Sequence, residues 1–432
     1  MRSNTIDFIT MGCSKNLVDT EHLMRQLKAA GYHVNHEPQT LRGDIVVINT
    51  CGFIGDAKEE SINEILRHAR RKQDGQIRQL YVMGCLSERY RKELNTELPE
   101  VDGLYGKFDY NRLVLDLGHE LRPEYMMQRV LTTPSQYAYL KIAEGCDRTC
   151  SYCAIPLITG PHRSRPMDDI ISEARWLAKR GVRELQLIAQ DLSYYGQDLY
   201  HAQRLPELVE RLADLKGIDW IRLHYAYPAH FPTGLLRVMR ERPNVCRYLD
   251  IALQHASDHI LRLMRRNISK QQTLDLLQQM REEVPGLHLR TTLMLGHPDE
   301  TADDVEELLQ FVDTQRFERL GAFAFCAEEG TYAARNYTDN IAQEEKLRRV
   351  DLVMRHQERI AAEQNQQKVG ALMRVIVDRQ EGDYYIGRTE FDSPEVDNEV
   401  LIPLSESVQV GQMYDARITA AETYDLYATT QA

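Results

Sequence analysis

The feature that most narrows the fold is a repeated one. Near the start of the chain, three short apolar runs, DFITMGC, DIVVINTC and RQLYVMGC, each end in a cysteine: Cys13, Cys51 and Cys85. A helical pattern follows each run. After Cys13, Leu23, Met24 and Leu27 recur at three- and four-residue steps until Gly31 stops the helix; after Cys51, Ile62, Ile65, Leu66 and Ala69 form one apolar face. Strands alternating with helices predict βαβ units and a parallel sheet. Ligands bind such sheets beyond the carboxyl ends of the strands, where all three cysteines fall. A single cysteine after a strand reads most simply as a small buried hydrophobe. Three in the same register argue for a joint role.

From residue 134 the alternation continues on a larger scale. Strand candidates are YAYLKIA, RELQLIAQD, DWIRLHYAYP, YLDIALQHAS, LHLRTTLMLG and ERLGAFAFC, separated by stretches such as DDIISEARWLAKRG and TADDVEELLQFVDT. About six such β/α units predict a full or partial parallel barrel, whose chemistry belongs at the C-terminal ends of the strands. Residues 343–368 read as one long polar connector helix. From Val369 short alternating strands predict a small β-barrel. The expected domains are 1–133, 134–366 and 367–432.

Three further cysteines, Cys146, Cys150 and Cys153, sit in EGCDRTCSYCAIP with C-x3-C-x2-C spacing. No run is long enough to span a bilayer, and the start shows no secretory pattern, so the expectation is a cytoplasmic protein without membrane attachment. In a reducing cytosol, grouped cysteines bind metals or do chemistry. Zinc is the plain alternative, but structural zinc takes four protein ligands and no fourth cysteine lies nearby. A cubane iron–sulfur cluster held by three thiolates leaves one iron open to a small molecule.

The spacing, with Tyr152 before the last cysteine, resembles the signature of radical S-adenosylmethionine enzymes. With the second set, Cys13, Cys51 and Cys85, the chain resembles the methylthiotransferase family over its whole length. IGRTEFDSPEVDN is similar to that family's TRAM domain. The resemblance implies an α/β multidomain protein: a flavodoxin-like parallel-sheet N-terminal domain, a partial (β/α) radical SAM barrel and a small antiparallel, OB-like TRAM barrel. It implies S-adenosylmethionine and two [4Fe-4S] clusters, with all six cysteines as metal ligands in catalytic roles. One S-adenosylmethionine would methylate sulfur held at the Cys13/Cys51/Cys85 cluster. Another, cleaved at the Cys146/Cys150/Cys153 cluster, would give the radical that abstracts a hydrogen. An external electron donor is implied, and a helper protein is possible.

Two branches of the family differ in substrate: an aspartate β-carbon of small ribosomal subunit protein 12, or a tRNA adenosine. MGCSKNLVDTE, NTCGFIGDAKEES, RLHYAYP and YLDIALQHAS resemble the ribosomal-protein branch. The net charge of −12 suits a basic protein partner better than a nucleic-acid substrate. From Val369 onward, twelve Asp or Glu stand against four Lys or Arg, a net of −8. The tRNA reading is the alternative. Two departures from the family pattern are Gly296-His297-Pro298-Asp299-Glu300, where Gly-Phe-Pro-Gly-Glu is usual, and Ala252, where proline is usual.

Around the clusters, Tyr152, Gln190 and Arg290 are the candidate cofactor-binding side chains. Gln190, Arg290 and His255 are expected near strand ends on the active face. Lys15 and Asn16 are expected to shape the first cluster's pocket. Cys246 and Cys326 are expected to be inert core residues.

Overall fold

The computed structural model describes residues 2–430. Its first sheet has five parallel strands: β1 (Arg2–Thr10), β2 (His33–His36), β3 (Gly43–Thr50), β4 (Gln79–Gly84) and β5 (Gly103–Leu104), in the order β2-β1-β3-β4-β5. This is the flavodoxin-like order, with its switch point between β1 and β3. Ile45, Val46, Val47 and Ile48 of β3 are all fully buried, as a strand covered on both faces requires.

Helix α1 (Ser14–Ala29) buries Leu23, Met24 and Leu27 as the spacing predicts. Helix α2 (Gly55–Gln73) differs. Ile65 and Ala69 are buried, but Ile62 and Leu66 are each 38% exposed. The helix is turned so that buried Ser61 faces the sheet, where its hydroxyl accepts from the Cys51 N–H and donates to the Cys51 carbonyl, both at 3.0 Å. A polar tie to the cysteine loop accompanies the exposure of two apolar side chains.

The second sheet holds β6 (Tyr137–Lys141), β7 (Glu184–Ile188), β8 (Trp220–Ala226), β9 (Val245–Ile251), β10 (His288–Leu295) and β11 (Arg319–Ala324), all parallel and side by side in chain order. It ends at β6 and β11 without closing, so the barrel is partial. Leu185, Leu187, Ile221, Leu223, Leu249 and Ile251 point outward into one core with the surrounding helices. The alternate positions form a polar inner column: Arg222 pairs with Glu184, His224 with Gln186, and Arg290 with Asp250. Helix α3 (Gln343–Gln366) is more than a connector. Val353 and Ile360 join the barrel core, so the helix packs as the last layer against β11.

Five strands, β12 (Leu372–Glu381), β13 (Tyr384–Thr389), β14 (Val400–Pro403), β15 (Met413–Ala421) and β16 (Leu426–Thr430), close a small barrel in the order β12-β13-β14-β16-β15. The expectation of an antiparallel barrel holds for every pair but β14–β16, which is parallel and lets five strands close.

The three units stack along the large barrel's axis. The small barrel plugs the floor, where the strands begin: Arg388 bonds Glu184 of β7 at 2.7 Å, Asp392 pairs with Arg319 of β11, and Asp397 accepts from Tyr248 at 2.8 Å. The first domain caps the mouth, where the strands end. Lys58 and Arg89 reach Glu328 just beyond β11, and Lys107 lies 3.7 Å from Glu144 just beyond β6.

Candidate active site

The first cysteine set is built by strand order. β1, β3 and β4 are adjacent, so separations of 38 and 34 residues in the chain collapse to three neighbouring loops. Gly12 permits the approach. It sits at φ +90°, and a Cβ there would lie 2.9 Å from the Cys51 Cβ. Burial pushes the Cys85 thiol up to about 12, with Lys107 pulling the other way and Cys13 and Cys51 close enough to add to the rise. Asn16 lies 3.6 Å from the Cys85 sulfur, and its side-chain amide donates to the Met11 and Thr50 carbonyls, tying all three loops together.

The second set hangs from the end of β6. Gly145, at φ +85°, precedes Cys146, and a side chain there would collide with the Pro161 carbonyl. The Arg148 N–H donates to the Cys146 sulfur at 3.4 Å. Burial pushes the Cys146 and Cys153 thiols up to about 12, each raised further by Cys150. Cys150 meets the Arg266 guanidinium at 3.3 Å and the Tyr227 hydroxyl at 3.9 Å. Tyr227 lies between two cations, Arg148 at 4.1 Å and Arg266 at 4.0 Å from its ring centre.

A chain of polar contacts links the two sets. Lys107, fully enclosed, donates to Asn16 at 3.0 Å and to Asp19 at 2.5 Å, and Glu144 follows at 3.7 Å. Burial opposes ionisation of Glu144, yet Lys107 and then Lys141 hold its carboxyl down at about 2. Gln190 donates to the same carboxylate.

These surroundings fit an anionic iron–sulfur group on each set. Each offers three convergent thiols, backbone room made by a left-handed glycine, and cations close to the sulfurs. Among the described residues, no group of three or more His, Cys, Asp or Glu side chains is closed to the spacing of a single metal ion.

Several expected residues fall elsewhere. Arg290 is third in β10, near the floor, and is committed to Asp250 at 3.3 Å and Asp397 at 3.2 Å. It is not at a strand end on the active face: it enters near the start of β10, five residues before the strand ends, where the plug's Asp397 meets it. Gln190 does follow β7 at the mouth. His255 is buried beyond β9 against Glu300 at 3.5 Å. Tyr152 stands 3.4 Å from Arg266, on the protein side of the cysteine loop. Cys246 is core, packed with Trp220, Tyr248 and Ile376. Cys326 is not: it is exposed beyond β11, near Glu328.

Five of the twelve C-terminal carboxylates bond residues at the floor of the large barrel. Asp378 bonds Gln136, Glu390 the Arg247 N–H, Asp392 Arg319, Glu395 Tyr137 and Asp397 Tyr248. The net of −8 is therefore only in part an outward field, and it does not choose the substrate by itself. The sequence reading missed Ser61, Lys107, Glu144, Arg148 and Arg266. Lys107, a lone lysine in GLYGKFDY, carries a faint signal of burial; Arg266 carries none, since it arrives from a distant loop.

The departures are accommodated. Asp299 adopts φ +66°, a conformation that glycine holds without strain, and exchanges two bonds with Asn340 at 3.1 and 2.9 Å. The Ala252 N–H donates to Ala226 at 3.2 Å, a bond proline cannot make.

The barrel with its three-cysteine loop defines a radical S-adenosylmethionine enzyme, a transferase that uses S-adenosylmethionine and a [4Fe-4S] cluster. Residues 140–312 match the Radical SAM superfamily, 5–106 the Uncharacterized protein family UPF0004 and 369–430 the TRAM domain. The chain belongs to the ribosomal protein uS12 methylthiotransferase family. It is 60% identical over 430 residues to the protein named ribosomal protein uS12 methylthiotransferase RimO of Phocaeicola vulgatus, covering 99% of this chain and 100% of that one. The protein of that name in Bacteroides thetaiotaomicron is 61% identical (99% and 98% covered), and that of Cytophaga hutchinsonii 48% (98% and 97%). Among solved structures, the fold is similar to the radical S-adenosylmethionine methyltransferase TsrM of Kitasatospora setae, with TM-score 0.54, 14% identity and 74% and 73% coverage. It is also similar to the cobalamin-dependent radical enzyme OxsB, with TM-score 0.52, 12% identity and 83% and 58% coverage.

Proposed function

We propose that this chain inserts a methylthio group at the β-carbon of an aspartate of ribosomal protein uS12. Two [4Fe-4S] clusters would sit on Cys146, Cys150 and Cys153 and on Cys13, Cys51 and Cys85. The observation that carries this reading is the placement of both cysteine sets at one barrel mouth, joined through Asn16, Lys107 and Glu144. When bound, the clusters and S-adenosylmethionine supply the one-electron chemistry and the held sulfur that an unactivated C–H bond requires. The chain's own side chains orient and enclose. Arg148 is fixed by Asp191 at 2.7 Å and, with Arg266, keeps positive charge beside Cys146 and Cys150. Tyr152 supports Arg266, and Gln190 and Glu144 line the mouth toward the cofactor. The cap shields the site from water. The working place is the cytoplasm, and among the described residues no helix is long and apolar enough to cross a membrane.

The test is an anaerobic reaction with iron- and sulfide-loaded protein, S-adenosylmethionine, a strong reductant, and uS12 or unmodified tRNA as substrate. The expected product is a methylthio mass gain on one uS12 aspartate. A gain on tRNA alone overturns the substrate. In chains with Cys13, Cys51 or Cys85 replaced by Ala, cleavage of S-adenosylmethionine should persist while methylthio insertion is lost.

A further inference from the structure

Resting on that reading, we infer that Lys15 binds a carboxylate at the barrel mouth, that of the substrate aspartate, and so selects aspartate over uncharged side chains. Four lysines join cap to barrel: Lys15, Lys58, Lys107 and Lys141. Lys58 pairs with Glu328, and Lys107 and Lys141 both pair with Asp19. Lys15 alone forms no ion pair among the described residues. Its ammonium stands 4.0 Å over the Tyr225 ring and 3.5 Å from the Ala189 carbonyl, just past β7. Two residues from Cys13, and touching the strand end that leads into Gln190, it lies between the two cysteine sets.

The platform under it is built at a conformational cost. Tyr225 is at φ +64°, which a bulky residue rarely adopts. The β8–β9 register shifts between Leu223 and Ala226, so Tyr225 breaks the alternation, and its ring stands 5.7 Å from that of His224. The Tyr225 ring thus turns up to meet Lys15 of the cap, while His224 stays buried inside the barrel on Gln186. Strain of this kind gathers at ligand sites. A cation over an aromatic face, partly shielded and with no close ion pair, is a receptor for an anion; the nearest carboxylate to act on Lys15 is Asp250 deeper in the barrel, itself committed to Arg290. The hydrogen-bearing carbon of an aspartate is bonded directly to its carboxylate, so anchoring that group places the reacting carbon between the two sets.

S-adenosylmethionine also carries a carboxylate, and the experiment separates the two sources. Binding of uS12, and of uS12 with the target aspartate changed to Asn, is measured on the iron-loaded full chain, alongside S-adenosylmethionine binding. The wild-type chain should prefer the aspartate form by about 10- to 100-fold, the worth of one charged hydrogen bond. Lys15→Met should erase the preference and Lys15→Arg should retain most of it. Unchanged preference in Lys15→Met overturns the proposal. So does loss of binding to both forms, which would make Lys15 a holder of the cap, or a loss confined to S-adenosylmethionine. If the wild-type chain leaves no mark on uS12, the reading beneath the proposal fails and takes it along; a mark with unaltered preference in Lys15→Met sinks the Lys15 assignment alone.

Discussion

Asp250 shows how much one buried group can decide. It lies inside the barrel against Arg290, and burial pushes its carboxyl up to about 6, with Arg290 opposing and Asp397 adding. A raised carboxyl contributes stability below its unfolded value, and that contribution is lost as pH rises through the folded value. Unfolding free energy measured for the chain and for Asp250→Asn should therefore diverge in the variant's favour between about pH 4 and about pH 6, by ~3 kcal/mol. Parallel curves would mean that Arg290 neutralises Asp250 fully. At the other end of the barrel, Gly12 has no tolerance for a side chain. Gly12→Ala should cut bound iron by roughly half, because only the first cysteine loop is forced apart. Iron analysis with an intact far-ultraviolet spectrum checks this.

At the scale of elements, the plug is held by buried ions as well as apolar contact. Arg388 of β13 bonds Glu184 of β7 and Asp378 of β12, and all three are nearly inaccessible. Removing the cation leaves buried Glu184 with Arg222 alone and buried Asp378 with only the neutral Gln136 amide. Arg388→Ala should lower stability by about 3–5 kcal/mol in urea unfolding. A loss below about 1 kcal/mol would show that water enters the floor. The strands were legible because their apolar runs are short and alternate with periodic helices. The turn of α2 was not: Ile62 and Leu66 look like core, and only the contact of Ser61 with the Cys51 backbone shows why they face out.

The whole molecule is a barrel closed at both ends, capped over its chemistry and plugged at its floor. A chain ending at Gln366 would expose the Glu184–Arg222 pair and the Trp220, Cys246 and Tyr248 patch that Ile376 covers. Such a chain should unfold at a lower temperature than the full protein and bind a hydrophobic dye. An unchanged melting temperature would mean that the floor seals itself.

The sequence by itself determined the kind of units, their order and the six cysteines, because hydrophobic period and ligand spacing are local properties. It also showed that three cysteines share one sheet edge, since a parallel sheet aligns its strand ends. Tertiary structure decided which end of the barrel each outer unit covers, and therefore what its charges do. The acidic C-terminal residues read from sequence as an outward field, yet five are tied to arginines and hydrogen-bond donors at the floor. Arg290 was read as a mouth residue and belongs near that floor. Arg266, Lys107 and Lys15 gained their places from partners far away in the chain. Charge pairing across domains depends on docking, and no local pattern records it.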